Sequence, residues 1–344
     1  MVSPHPSRKV VRQYLATKKG GPFQVATASF PTPGPNEVCI RNRAVGLNAI
    51  DWKNLSHGQL VKTWPEVFGV DAAGIVEDVG SNVEDFKPGD AVMTFAGHGG
   101  PAGAFQEVTM VPSHYVSKKP SCWTFVEASS VPIIYLTAAA AISKGLNIPL
   151  PYLLEEAKMP AVASIVVLGG SSGVGASAIQ LLRIALPTAT ILSTNSPRNN
   201  AAVAKHGATA CFDRNDPKLV AALRAASPGG NGVDAILDAV AGASERTKLF
   251  DVLRADGPRL YSQVMTGAQV NVPENVRSVA VYARMVFDVP GGMRAMGKLG
   301  ELGEAGKFKL PLSVEVVGKG LEAIGPGLDK LKEGVSGTKL VVGL

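Results

Sequence analysis

The residues best suited to chemistry lie in Leu168–Gly175, which reads LGGSSGVG. A β-branched and apolar run, Ser164–Leu168, precedes it, and an apolar helical pattern opens at Val174 and continues through Ile179, Leu182 and Ile184. Strand, tight turn and helix in that order leave the first helical N–H groups without partners. Together with the helix dipole these groups make a site for a pyrophosphate. Gly170 takes the backbone conformation of the turn, the small Ser172 lets the backbone approach a ligand, and Ser171, Gly173 and Val174 complete the expected cofactor-binding turn. Gly175 lets helix and strand pack closely. Ser172 stands where a dinucleotide fingerprint has its second glycine, and the requirement there is small size.

About twenty residues on, where a dinucleotide site places an acid against the ribose 2′-hydroxyl, a second strand, Thr190–Ser193, ends in Thr194-Asn195-Ser196-Pro197-Arg198. No acid is present. The hydroxyls of Thr194 and Ser196 and the guanidinium of Arg198 suit a 2′-phosphate instead. The competing reading is a solvated loop with a stray arginine. The expected cofactor is NADPH rather than NADH.

With 344 residues, 46% of them hydrophobic and 18% charged, the chain is long enough for two domains with sizeable cores. No apolar run reaches the length of a membrane span and Met1–Val10 has no apolar signal core, so the expectation is a cytoplasmic protein with no membrane partner. Cys39, Cys122 and Cys211 lie far apart, which argues against a disulfide framework or a clustered zinc site. The net charge is +6, yet Lys and Arg are dispersed, which argues for a mildly basic enzyme and against a nucleic-acid partner.

The elements that must position these groups fall into two kinds. Residues 1–130 read as short strands and turns with hardly any helix, among them Val38–Ala44, Gly69–Val79, a turn entering a strand at Phe86–Val92, Gly103–Val111 and Tyr115–Lys118. Helices are expected over Thr124–Ser130 and Pro132–Gly145. To about residue 290, β and α then alternate: strands at Ala210–Asp213, Val233–Asp238 and Arg259–Ser262, helices at Pro217–Ser227 and Ser244–Leu253. Such alternation calls for a parallel sheet covered on both faces. A helix about Gly291–Gly306, a strand at Leu312–Val317, a helix about Gly318–Glu333 and the strand Lys339–Val342 return to the first kind.

Over nearly its whole length the chain resembles the medium-chain dehydrogenase/reductase superfamily. The resemblance rests on Pro35–Val38, Gly46–Lys53, Phe68–Gly74, Phe86–Asp90, Gly103–Glu107, Leu136–Ala138 and the glycine turn in combination. It implies an α/β fold in which a doubly wound parallel Rossmann sheet is inserted in a β-rich GroES-like catalytic domain. That domain would comprise residues 1–130, completed by 307–344, with residues 131–306 binding NADPH. Zinc members carry a cysteine where this chain has Asn48 and a histidine where it has Val70, so no metal is expected. His57, His98 and His114 are scattered and show no ligand spacing. Within the zinc-independent branch the likeness is to quinone oxidoreductases, fungal ToxD-like proteins and the trans-acting enoyl reductases of polyketide synthases, carried also by Val314–Ile324 and Val335–Val342.

By that resemblance Lys53, Thr137 and Asn48 border the nicotinamide and form the expected catalytic set. The alternatives are a solvated lysine, a helix hydroxyl bonded to its own backbone and a turn asparagine. Arg214, Tyr261 and Lys339 join the cofactor set. Tyr135 and Tyr261 are weighed as proton donors against core or cleft-lining aromatics. Tyr135, Tyr282, Met285 and Phe287 are the expected substrate wall, the last three on a covering loop that reads equally as sheet-edge packing. The activity implied is NADPH-dependent reduction of an activated C=C bond in a free enone, a quinone or a carrier-bound enoyl chain presented by a polyketide synthase. A non-redox cyclisation or isomerisation on the same fold is the alternative. The edge region Arg277–Phe287 leaves monomer and homodimer both open.

Overall fold

The computed structural model describes residues 10–344 except 98, 157 and 159. The expectation for Met1–Val10 therefore lies almost wholly outside the described residues, and His98 lies outside them entirely. In chain order the elements begin with β1 (Val10–Ala16), β2 (Phe23–Ser29), β3 (Glu37–Gly46), α1 (Ala49–His57), β4 (Glu66–Val67), β5 (Asp71–Val79), β6 (Ala91–Phe95), β7 (Val108–Pro112) and β8 (Val116–Lys118). Next come α2 (Phe125–Ala128), α3 (Pro132–Ala140), β9 (Ser164–Leu168), α4 (Gly173–Ala185), β10 (Thr190–Asn195), α5 (Asn200–Lys205), β11 (Ala210–Asp213), α6 (Leu219–Ala225) and β12 (Ala235–Asp238). The chain ends with β13 (Leu260–Val264), β14 (Arg277–Val281), α7 (Ala295–Glu304), β15 (Ser313–Lys319), α8 (Ile324–Glu333) and β16 (Thr338–Gly343). Two compact units result: one of residues 1–132, 299–305 and 313–344, the other of residues 133–298 and 306–312.

The first unit holds a three-stranded sheet, β2-β1-β4, and a larger one that runs β15-β16-β3-β5-β6-β8 with β7 also on β3. Pairing is antiparallel except between β15 and β16. Register shifts between Cys39 and Ile40 and between Asn42 and Ala44 bend the long β3, as bulges do. Val38, Ile40, Phe68, Phe105, Leu340 and Val342 fill the core. The sequence reading missed α1, and the reason is local. Its fully buried side chains are Asp51 and Asn54, so it has no apolar stripe to read. Asn48 caps it, and Gly58 in the left-handed region at φ 69° ends it.

The second unit is built on one six-stranded parallel sheet in the order β11-β10-β9-β12-β13-β14. Strand order reverses between β9 and β12, and ligands bind beyond the strand ends at such a point. Three expected helices are shorter or tighter than the sequence reading has them. Ser244–Leu253 holds only a 3-10 segment, Thr247–Val252. Gly318–Glu333 is split by Gly320 at φ 81°, so β15 runs to Lys319 and α8 starts at Ile324. The third, α3, ends in a π turn, Ala141–Gly145. Taken as one helix, Phe125–Gly145 is long and apolar enough to cross a membrane, which corrects the expectation that no run is; 78% of its apolar window is buried inside the protein, as in a core helix.

Candidate active site

The chain leaves β9 through Gly169, whose φ of 79° only glycine adopts readily and whose Cβ, if added, would stand 2.5 Å from Val240. Its neighbour Gly170 has no such φ. It is held to glycine by space, since a Cβ there would lie 1.9 Å from Ser193 Oγ. The turn conformation assigned to Gly170 thus belongs to Gly169. A Cβ on Gly175 would meet the Gly169 carbonyl at 2.2 Å, so α4 starts against the strand end. Ser172 does more than stay small: it is the N-cap of α4, and its Oγ accepts the Gly175 amide at 3.1 Å. The Gly173 and Val174 amides open the helix, where the intrahelical ladder supplies no acceptor. These residues fit the pyrophosphate of a dinucleotide.

Beside this turn, β10 and β11 present the flanking groups. The Thr194 carbonyl accepts the amides of Gly169 and Gly170 at 3.0 and 3.1 Å, and its buried hydroxyl faces the Gly169 amide at 3.4 Å. Thr194 Oγ1 thus serves the turn as an acceptor, and its own O–H is left to donate. Ser196 is half-buried, and Arg198 is exposed on the single 3-10 turn Pro197–Asn199. Arg214 is exposed just past β11; its amide donates to the Asn195 carbonyl at 3.1 Å, and its own carbonyl accepts the Arg246 guanidinium. Arg198 and Arg214 therefore follow adjacent parallel strands whose ends lie on one edge of the sheet.

Sequence reasoning missed Asp238. Fully buried at the end of β12, it accepts the amides of Val240, Gly242 and Ala243 at 3.2, 2.8 and 3.0 Å, and the Tyr261 hydroxyl at 2.9 Å. An Asp followed within five residues by alanine and glycine was the available signal for such a loop. Tyr261 is correspondingly no proton donor and no cofactor ligand. It is 0% exposed, stands edge-on to Phe250 at 5.0 Å, and its phenol is held far above the ordinary range by burial and by Asp238. Tyr135 is also core, donating to the Ala295 carbonyl at 3.1 Å and packing edge-on to Phe308. The expected substrate wall is thereby reduced to Tyr282, Met285 and Phe287, of which Tyr282 is exposed and the other two are half-buried. Thr137, in the same unit, is buried and donates to the Ile133 carbonyl at 2.7 Å, one helical turn back.

The first unit contributes a buried polar network. Asn48 Nδ2 donates to Asp71 Oδ2 at 2.9 Å and to the Gly46 carbonyl at 3.3 Å, while its Oδ1 accepts from Lys339. Lys339 Nζ also donates to Asp71 Oδ2, at 3.3 Å. Both Asn48 N–H bonds are spent inside the protein, so Asn48 has none to offer a substrate. Asp51, fully buried one helical turn on, accepts the Asn48 amide at 2.9 Å. Burial, with Asp71 adding to it, pushes the Asp51 carboxyl up to about 8, although the bonds from Asn48 and Gly69 and the charge of Lys339 pull the other way. Neither Asp51 nor Asp71 was singled out from the sequence, since a polar residue inside a β-rich core leaves no periodic trace. Lys53, on α1, is half-buried with Nζ 5.6 Å from the Trp52 ring centroid. Among the described residues no group of three His, Cys, Asp or Glu could hold a metal ion. Val70 is buried core.

The Alcohol dehydrogenase GroES-like domain family matches residues 34–121. Dehydrogenase orf1 of Aspergillus niger is 33% identical over 338 residues, covering 93% of this chain and 95% of that protein. Trans-enoyl reductase tndF of Aspergillus flavipes is 32% identical over 354 residues, covering 96% of this chain and 98% of the relative. The chain belongs to the medium-chain dehydrogenase/reductase superfamily. This superfamily fold binds a nicotinamide cofactor, and the chain is accordingly an enzyme of the oxidoreductase class. A solved structure of the superfamily, CurK enoyl reductase, superposes with a TM-score of 0.77 at 21% identity over 97% of this chain and 99% of that one, a likeness of fold.

Proposed function

We propose that this chain is an NADPH-dependent, zinc-independent reductase of an activated C=C bond, serving fungal polyketide metabolism as a trans-acting enoyl reductase. The observation that carries the reading is the glycine turn at the point where strand order reverses, beside strands followed by exposed Arg198 and Arg214 with no acid after β10. In this reading the second unit binds the dinucleotide, its pyrophosphate against Gly173 and Val174 and its 2′-phosphate against Ser196, Arg198 and Arg214. The first unit holds the substrate. When bound, the nicotinamide supplies a hydride to the β-carbon of an enoyl thioester, enone or quinone, and the enolate left behind takes a proton from water at the α-carbon.

The remaining work falls to the chain's own residues. Lys53 faces the carbonyl oxygen, where negative charge grows as the double bond is reduced, and a cation there is stabilising. Asn48 is a positioning residue, fixing Asp71 and Lys339 rather than touching substrate. Lys339, with two of its three N–H bonds spent on Asn48 and Asp71, keeps one donor in reserve. Zinc independence is supported by the apolar Val70 and the amide of Asn48 at the positions where zinc members carry ligands.

Binding of NADPH and NADH to the purified protein, followed by nicotinamide absorbance with enones, quinones and free or carrier-bound enoyl thioesters, tests the proposal. Tighter binding of NADPH with its oxidation by one of these classes is the expected result. NADPH bound but never oxidised would overturn reduction in favour of a non-redox step on the same fold.

A further inference from the structure

Apart from the glycine turn and the Asn48 network, the first unit contains a cavity of about 260 Å³ lined by α1, α8 and the turn 20–22. Its apolar wall is Phe23, Trp52, Leu55 and Leu328. Phe23 is held flat against Tyr14, with centroids 4.8 Å apart and planes 10° from parallel, and Leu328 is core, so two sides of the wall are fixed.

Two charged residues, Asp329 and Lys332, complete the lining from adjacent turns of α8. Asp329 also acts on Tyr14, whose phenol is held above its ordinary range by burial first and then by the charges of Glu322 and Asp329. Lys332 lies beside the indole. Its Nζ is 6.0 Å from the Trp52 ring centroid, and Lys53 Nζ is 5.6 Å from the same ring. Of these two lysines only Lys332 lines the cavity, so its ammonium is the cationic group open to an anionic occupant. Lys330, on the same helix, is paired with Glu315, whereas Lys332 has no ion pair among the described residues.

We propose that this cavity binds an aromatic carboxylate, its ring against Trp52 and Phe23 and its carboxylate on Lys332. The size agrees: an apolar cavity of about 150 Å³ holds benzene and drug-sized ligands need roughly 300 Å³ or more, so the intermediate volume takes one substituted ring. The aromatic wall favours a planar body, and the ammonium fixes the sign of its charge. The site needs neither nicotinamide nor turnover, so it stands or falls apart from the reductase reading.

Calorimetric titration with benzoate, benzyl alcohol and benzylamine, without cofactor, provides the test. Benzoate binds saturably and roughly tenfold more tightly than benzyl alcohol, the value of one hydrogen bond to a charged group; benzylamine binds most weakly. In Lys332→Gln, an exposed change that leaves the fold and NADPH oxidation intact, the advantage of benzoate over benzyl alcohol disappears. In Trp52→Leu all three weaken. Absence of saturable benzoate binding, equal binding of benzylamine, or an advantage for benzoate that survives Lys332→Gln would overturn the proposal.

Discussion

Lys339 and Asp71 are joined at 3.3 Å in the interior of the first unit, with side chains 8% and 0% exposed, and Asn48 bridges them. A buried pair of this kind gains little over an apolar replacement of both partners, but loss of one leaves a bare charge. Lys339→Met should therefore destabilise the protein by about 3–5 kcal/mol. Asp71→Asn in the same background should recover much of that loss. Urea unfolding of the single and double variants checks it; additive losses would break the pairing.

Asp51 makes stability depend on pH in a defined direction. The folded protein holds its proton up to about 8, whereas the ordinary value is 3.8. Between these limits the native state binds the proton that the unfolded chain has lost, so stability falls as pH rises and levels off above about 8. The steepest contribution is about 1.4 kcal/mol per pH unit. Unfolding curves from pH 4 to 9 should lose this component in Asp51→Asn.

Removal of the Arg198 guanidinium should weaken NADPH by roughly ten- to a hundredfold, the value of a charge-assisted hydrogen bond, and leave NADH nearly unchanged. Equal losses for the two cofactors would show that the 2′-phosphate is held elsewhere, with Arg214 the next residue to replace.

Lys53→Ala should lower kcat by roughly a hundredfold while NADPH affinity changes by less than about threefold. A steady-state comparison of kcat with the dissociation constant separates the two. An unchanged kcat would remove Lys53 from the chemistry.

Tyr261→Phe strips one bond from Asp238 and should cost about 1–2 kcal/mol of stability with kcat unaltered. A large fall in kcat at unchanged stability would restore Tyr261 to the mechanism.

The parts of the fold legible in the sequence were those written as apolar runs and glycine spacing. Ser164–Leu168 and the start of α4 follow from such patterns because a buried parallel strand needs nothing else, whereas Ala210–Asp213, a half-buried edge strand, follows from its place in the β/α alternation. The glycine turn was legible for the same reason, although which glycine bends and which one merely makes room depends on Val240 and Ser193, far along the chain. What escaped was polar and non-local. Helix α1 buries Asp51 and Asn54 where a pattern reader seeks leucines, and Asp238 acquires its role only from the amides and phenol that converge on it. Tyr135 and Tyr261 show the converse: a phenol in the sequence advertises a proton, but 0% exposure and a committed hydroxyl withdraw it.

The carboxylate of Asp238 gives the loop after β12 the mechanical character of a sheet. Three successive tethers to one buried charge leave Val240–Ala243 little conformational freedom to surrender. Under the proposed reading, a dinucleotide bound beyond the strand ends would find this loop already set, the entropy of shaping it having been settled during folding rather than at binding.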